Sequence, residues 1–173
     1  MGKGDRRRRS AERRREKSRK KSQGAKGVYQ LSRTDKRFNE SLKRWGLSPN
    51  YPGTNKPRPT RPTEPYDRTK HYGGSQTDHP VGDRIRREFA NKPCPSCRSK
   101  MVPGSDHRPV PEHDPPLVVH YYDHGGFAMT DEERRTYARS EEAFNGAFCL
   151  QCQRKQGHEM AKLSQRYKKK YGL

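Results

Sequence analysis

Four cysteines stand in two C-x-x-C pairs, Cys94 and Cys97 in "CPSC" and Cys149 and Cys152 in "CLQC". A two-residue gap lets both thiolates of a tight turn reach one tetrahedral ion about 2.3 Å away. Two such pairs make a closed four-sulfur site, so the spacing predicts a structural Zn2+ held by Cys94, Cys97, Cys149 and Cys152. The competing reading, two redox or disulfide pairs, leaves a weakly apolar module with little to fold around. Between the pairs lies "SDHRPVPEHDPP", which sets Asp106 beside His107 and also holds His113 and Asp114, and the following stretch adds His120, Asp123 and His124 as further candidate ligands. Phosphodiester hydrolysis needs a base to take a proton from water and a cation to offset charge building on the phosphate, and an adjacent Asp-His pair can supply both functions. The dipeptide alone carries no information; its position between two cysteine pairs gives it weight.

Composition limits what can position these groups. The chain has 173 residues, 26% of them hydrophobic, and a mean hydropathy of -1.50, too little apolar material for one large core. Forty Lys and Arg against 20 Asp and Glu give a net charge of +20, which selects a polyanionic partner. Nucleic acid is the expectation, DNA in the first place and RNA as the alternative. No run of about 18 apolar residues is present to span a bilayer, and no apolar segment follows the basic start as in a secretory signal. The expected setting is intracellular, with no membrane partner.

Three segments follow from the pattern. Residues 1–30 read as a disordered basic tail, in which Arg6, Arg7, Arg8, Arg9, Arg13, Arg14, Arg15, Lys20 and Lys21 are candidate phosphate contacts. Residues 31–82 read as a short helix over 34–45 followed by a Pro-rich linker. In that helix Phe38, Leu42 and Trp45 share one face, which must dock on the later module or on a protein partner. Tyr51, Tyr66 and Tyr72 of the linker are candidates for stacking on unpaired bases. Residues 83–173 read as the folded module.

That module starts with a basic helix, "DRIRREFAN", leading into the first cysteine pair. The run "PLVVHYY" reads as a strand with one buried face. Thr130 and Glu133 form a capping box for a helix that Asn145-Gly146 would stop. A last helix opens near Cys149, is continued by Met160, Leu163 and Tyr167, and ends in Lys168, Lys169 and Lys170, further candidate phosphate contacts. Knuckle, hairpin and helix together are a treble-clef arrangement, so the predicted fold class is a small α+β, ββα zinc module behind a long basic N-terminal region.

The order "CPSC", "SDHRPVP", "NGAFCLQCQRKQG" resembles the HNH endonucleases, above all their zinc-stapled members and phage recombination endonucleases, over residues 92–160. The resemblance implies that the Asp-His step ends the first strand of the hairpin. It makes His107 the general base, Asp106 a ligand of a catalytic Mg2+ or Mn2+, Asn145 the middle residue of the motif and Gln153 the last. The family carries His or Asn at that last position, and a neutral glutamine amide is a poorer metal ligand than imidazole. The implied activity is metal-dependent DNA cleavage. The alternative is a non-catalytic nucleic-acid-binding or nucleoprotein component in which zinc is only a staple.

Overall fold

The computed structural model describes residues 33–74 and 78–173, and the basic tail at 1–30, with its candidate phosphate contacts, lies outside them. Among the described residues the chain forms six α-helices, two short 3-10 turns and one antiparallel pair of strands. It is a small α+β protein.

Helix α1, Arg33–Arg44, closely matches the predicted span. Its stripe is covered by the chain itself. Phe38 and Leu42 bury against Ala128 and Phe127, while Trp45 packs edge-on to His120 and Tyr137 and donates its indole N–H to the His124 carbonyl at 3.2 Å.

The next forty residues correct the sequence reading. Composition predicts a linker up to residue 82, with the folded module starting at 83, yet residues from Arg33 onward form one unit. Arg58 is buried, with hydrogen bonds to the Ser48 and Ala128 carbonyls and to both carboxylate oxygens of Glu133. Helix α2, Arg68–Tyr72, is capped by the Asp67 side chain and stopped by Gly73 in the left-handed region. It delivers Tyr72, fully buried, into the main core. Base stacking is therefore closed to Tyr72, whose hydroxyl is 2.6 Å from His120 Nδ1.

Helix α3, Pro80–Phe89, begins with proline in its first turn, where a missing N–H costs nothing, and leads into the knuckle. Strand β1, Pro109–His113, follows. The "LVVHYY" run is then a helix, α4 (Leu117–Asp123), rather than a strand. A short apolar run is ambiguous by periodicity; here the preceding Pro115-Pro116 opens a helix, and Leu117, Val118, Tyr121 and Tyr122 are all buried. Helix α5, Asp131–Arg139, has the predicted Thr130–Glu133 capping box but ends at Ser140 rather than at Asn145-Gly146. The reason is pairing: Phe144–Cys149 is strand β2, hydrogen-bonded to β1. Helix α6, Leu150–Tyr171, runs 22 residues to Gly172, its left-handed cap.

The core is built largely from tyrosine. Tyr72, Tyr121, Tyr122, Tyr137 and Tyr167 pack with Leu117 and Val118, and the rings of Tyr122 and Tyr167 stack at 4.4 Å. Large aromatic area compensates for the shortage of aliphatic residues. Buried Arg134 fills hydrogen bonds to the carbonyls of His71, Gly126 and Met129, tying α2 and the Gly126 turn to α5.

Candidate functional site

The four cysteines meet where the knuckle, β2 and the start of α6 converge. Around the first pair, Cys94 N–H donates to the Ser99 carbonyl at 2.8 Å and Arg98 N–H to the Cys94 carbonyl at 2.9 Å, so the chain turns back on itself. Arg98 adopts a φ of 66°, the left-handed conformation such a turn demands just past its second cysteine. The second pair straddles the beginning of α6, with Cys149 as its N-cap residue. All four sulfurs lie within 4.8 Å of one another, and Cys97 and Cys149 are 3.6 Å apart. Four sulfurs about 2.3 Å from a common centre sit about 3.8 Å apart in a tetrahedron, so this cluster can hold a metal ion. Hydrogen bonds from Ser99 hold the Cys97 thiol down at about 6, whereas burial pushes Cys149 up to about 12. A bound cation would even out that difference, because ligating sulfurs are thiolates. Met101, fully buried, and Phe89 and Phe148 close the cluster from beneath.

The strand pair places the other candidates. Pro109 pairs with Cys149, Val110 with Phe148 and Pro111 with Ala147; the register then slips before His113 meets Phe144. Gly146 makes the irregularity possible, since its φ is +108° and a Cβ there would meet the Phe89 ring at 2.9 Å. The extra length on β2 falls opposite Glu112, and Asn145 lies in it; the side chain of Asn145 is outside what the structure describes.

Asp106 and His107 are not at the end of β1. They occupy the turn that precedes it, stabilised by Ser105 Oγ accepting from His107 N–H at 3.1 Å. Asp106 is exposed, and the Nδ1 of His107 is buried without a partner. The acid-histidine step that does end the first strand is Glu112-His113. Gln153, on the first turns of α6, donates its amide N–H to the Glu112 carboxylate at 2.8 Å. The residue beside the last cysteine is thus joined to Glu112 and not to Asp106. The His113 ring lies tilted against Phe144 with centroids 4.3 Å apart, and its Nε2 is 2.9 Å from the Ala138 carbonyl. A carbonyl only accepts, so Nε2 carries the proton and Nδ1 the lone pair. Burial lowers His113 to about 4 and raises the Glu112 carboxyl above its ordinary range, the latter opposed by bonds from Gln153 and Gln156.

These residues line a half-open groove of about 540 Å3 that also includes Arg68 of α2 and Gly157 of α6. The buried Gln156 Oε1 has no hydrogen-bond partner. Sequence reasoning grouped His113 only among spare ligands. The signal for it was length: moving the histidine from 107 to 113 shortens an insertion too long for a compact hairpin. Of the other candidates, His120 belongs to the core, Asp123 accepts from the Tyr167 hydroxyl, and Lys168, Lys169 and Lys170 fall in the last turn of α6, Lys170 lying over the Tyr171 ring at 4.9 Å. Among the described residues the four cysteines are the one group of His, Cys, Asp or Glu close enough to share a metal, and no helix is long and apolar enough to cross a membrane. Comparison with protein-family models, curated proteins and solved structures returns no match.

Proposed function

We propose that the protein is a metal-dependent nuclease of the HNH type, with a Zn2+ ion stapling a treble-clef module through Cys94, Cys97, Cys149 and Cys152, and with Glu112 and His113 as its acid-histidine step. The observation that carries this reading is the Gln153–Glu112 hydrogen bond. It joins the end of β1 to the residue beside the last cysteine, where the family resemblance calls for two halves of one site. His113, neutral and held through Nε2, offers its Nδ1 lone pair to a water. The Glu112 carboxylate and the amide oxygens of Gln153 and Gln156 are hard oxygen donors, and they fit Mg2+ or Mn2+ rather than a second zinc. The unpartnered Gln156 Oε1 is the kind of buried acceptor that a cation or its water would satisfy. When bound, such an ion supplies charge stabilisation at the phosphate and leaving oxygen. DNA is the proposed substrate, consistent with a net charge of +20.

The second reading, a non-catalytic nucleic-acid-binding or nucleoprotein component, has one observation in its favour. The Gln153 amide N–H already occupies one oxygen of the carboxylate that would have to hold the cation. Cleavage assays separate the two. His113→Ala is expected to lower Mg2+- or Mn2+-dependent cleavage by about 10² to 10⁴ with zinc content and circular dichroism unchanged, while His107→Ala has little effect. Loss of cleavage in His107→Ala alone would return the base to the Asp106-His107 turn. Wild-type protein that leaves duplex, branched and single-stranded DNA intact with either ion would end the nuclease reading and leave the binding reading standing.

A further inference from the structure

Two residues of the groove, Gly157 and Arg68, suit a ligand better than they serve the fold. Gly157 sits in the middle of α6, where glycine weakens a helix relative to alanine. Its backbone is not left-handed, and nothing lies within 4 Å of where a Cβ would stand. Neither strain nor crowding calls for a glycine here. A missing side chain does give unobstructed access from the groove to the helix backbone. Arg68 comes from outside the segment that carries the nuclease resemblance. It is exposed on the groove, tethered through Nε to the Gly74 carbonyl at 3.2 Å, and its charge is felt at both Glu112 and His113. A planar guanidinium beside an acid-histidine step suits a phosphate, which it can bind through two parallel N–H groups.

We propose that this groove seats one strand of a nucleic acid by its backbone, with Arg68 holding a phosphate and Gly157 marking where the strand passes closest to α6. The proposal rests on the nuclease reading for the reacting groups, but the binding it describes stands without cleavage. The groove therefore draws one wall from α2 and another from α6, and the cysteine module alone would present only part of it.

The probe is a fluorescein-labelled single-stranded oligodeoxynucleotide, titrated by fluorescence anisotropy without added divalent ions over a series of salt concentrations. Arg68→Ala is expected to weaken binding five- to tenfold (about 1 to 1.4 kcal/mol) and to lower the slope of log affinity against log salt by about 0.7, one phosphate contact for a single strand. Arg68→Lys should recover the slope and only part of the affinity. Arg135→Ala, an exposed arginine of α5 that does not line the groove, should change neither. Gly157→Leu places an isobutyl group in open space and improves helix propensity, so the melting temperature should hold or rise by about 2 to 4 °C while affinity falls at least tenfold. An Arg68→Ala slope equal to that of Arg135→Ala, or a Gly157→Leu protein that binds like wild type, overturns the proposal. If wild type cleaves nothing yet both groove variants lose affinity, the nuclease reading fails and the strand seat stands. If both variants bind and cleave normally, the strand runs elsewhere and the nuclease reading survives.

Discussion

Replacing Arg58 with methionine tests whether residues 47–66 are an integral part of the fold. The Arg58 side chain is 1% exposed and its partner Glu133 is 20% exposed. Its guanidinium reaches both Glu133 oxygens, at 2.7 and 2.6 Å, and the Ala128 carbonyl at 2.8 Å, while Nε reaches the Ser48 carbonyl at 2.8 Å. Methionine keeps much of the aliphatic stem and removes all four bonds. Breaking a buried ion pair from one side costs about 3 to 5 kcal/mol, chiefly for the charge left behind. Glu133 keeps some water and the Thr130 backbone N–H at 2.7 Å, which points to the lower end, about 3 kcal/mol. For a chain of this size that is a fall in melting temperature of about 6 to 12 °C, read by circular dichroism. Adding Glu133→Gln should recover part of the loss, since no uncompensated charge then remains. An Arg58→Met protein melting within about 1 °C of wild type would refute the reasoning and return this stretch to the status of a linker.

The cysteine cluster and the buried histidine give two further tests. Cys149→Ser should release the metal and unfold the module, because a closed four-cysteine site contributes folding free energy directly; metal-free wild type with an unchanged near-UV circular dichroism spectrum would contradict this. Burial, and then repulsion from His124, Arg134, His113 and Arg44, holds His120 well below its ordinary value between Tyr72 and the stacked Tyr137 ring. The unfolded chain therefore takes up a proton near pH 6.5 that the folded chain refuses, so stability is full above that pH and falls below it. The loss from this one group reaches about 2 kcal/mol by pH 5. His120→Gln should flatten urea-denaturation stability against pH by that amount, and an equal slope in variant and wild type would show that His120 is not the source.

What the sequence disclosed was local. The cysteine spacing, the Thr130–Glu133 capping box, the Phe38, Leu42 and Trp45 face and the long final helix rest on neighbours within one or two turns. Most of what it concealed depends on partners far away. Arg58 reads as one more cation in a Pro-rich stretch until Glu133, 75 residues on, is brought beside it. Tyr72 reads as a loop tyrosine until His120 accepts it. That a second acid-histidine step, Glu112-His113, is the one that lies beside Gln153 was concealed for a related reason. Asp106-His107 and Glu112-His113 offer nearly the same chemistry, and only the pairing of β1 with β2 decides which one reaches α6.

The two cysteine pairs also determine how the chain is tied. Cys94 and Cys149 are 55 positions apart, and the stretch between them holds both strands, α4 and α5. An ion joining the four thiols closes that stretch into a ring, which in the chain-entropy picture removes about 4 kcal/mol of freedom from the unfolded state. Helices α1, α2 and α3 lie outside the ring, held to it by packing and by hydrogen bonds such as that from Arg134 to the His71 carbonyl. With an ion bound there, its loss would restore the disorder available to the middle of the chain, so the tyrosine core would be weakened from a distance through a cluster that it does not touch.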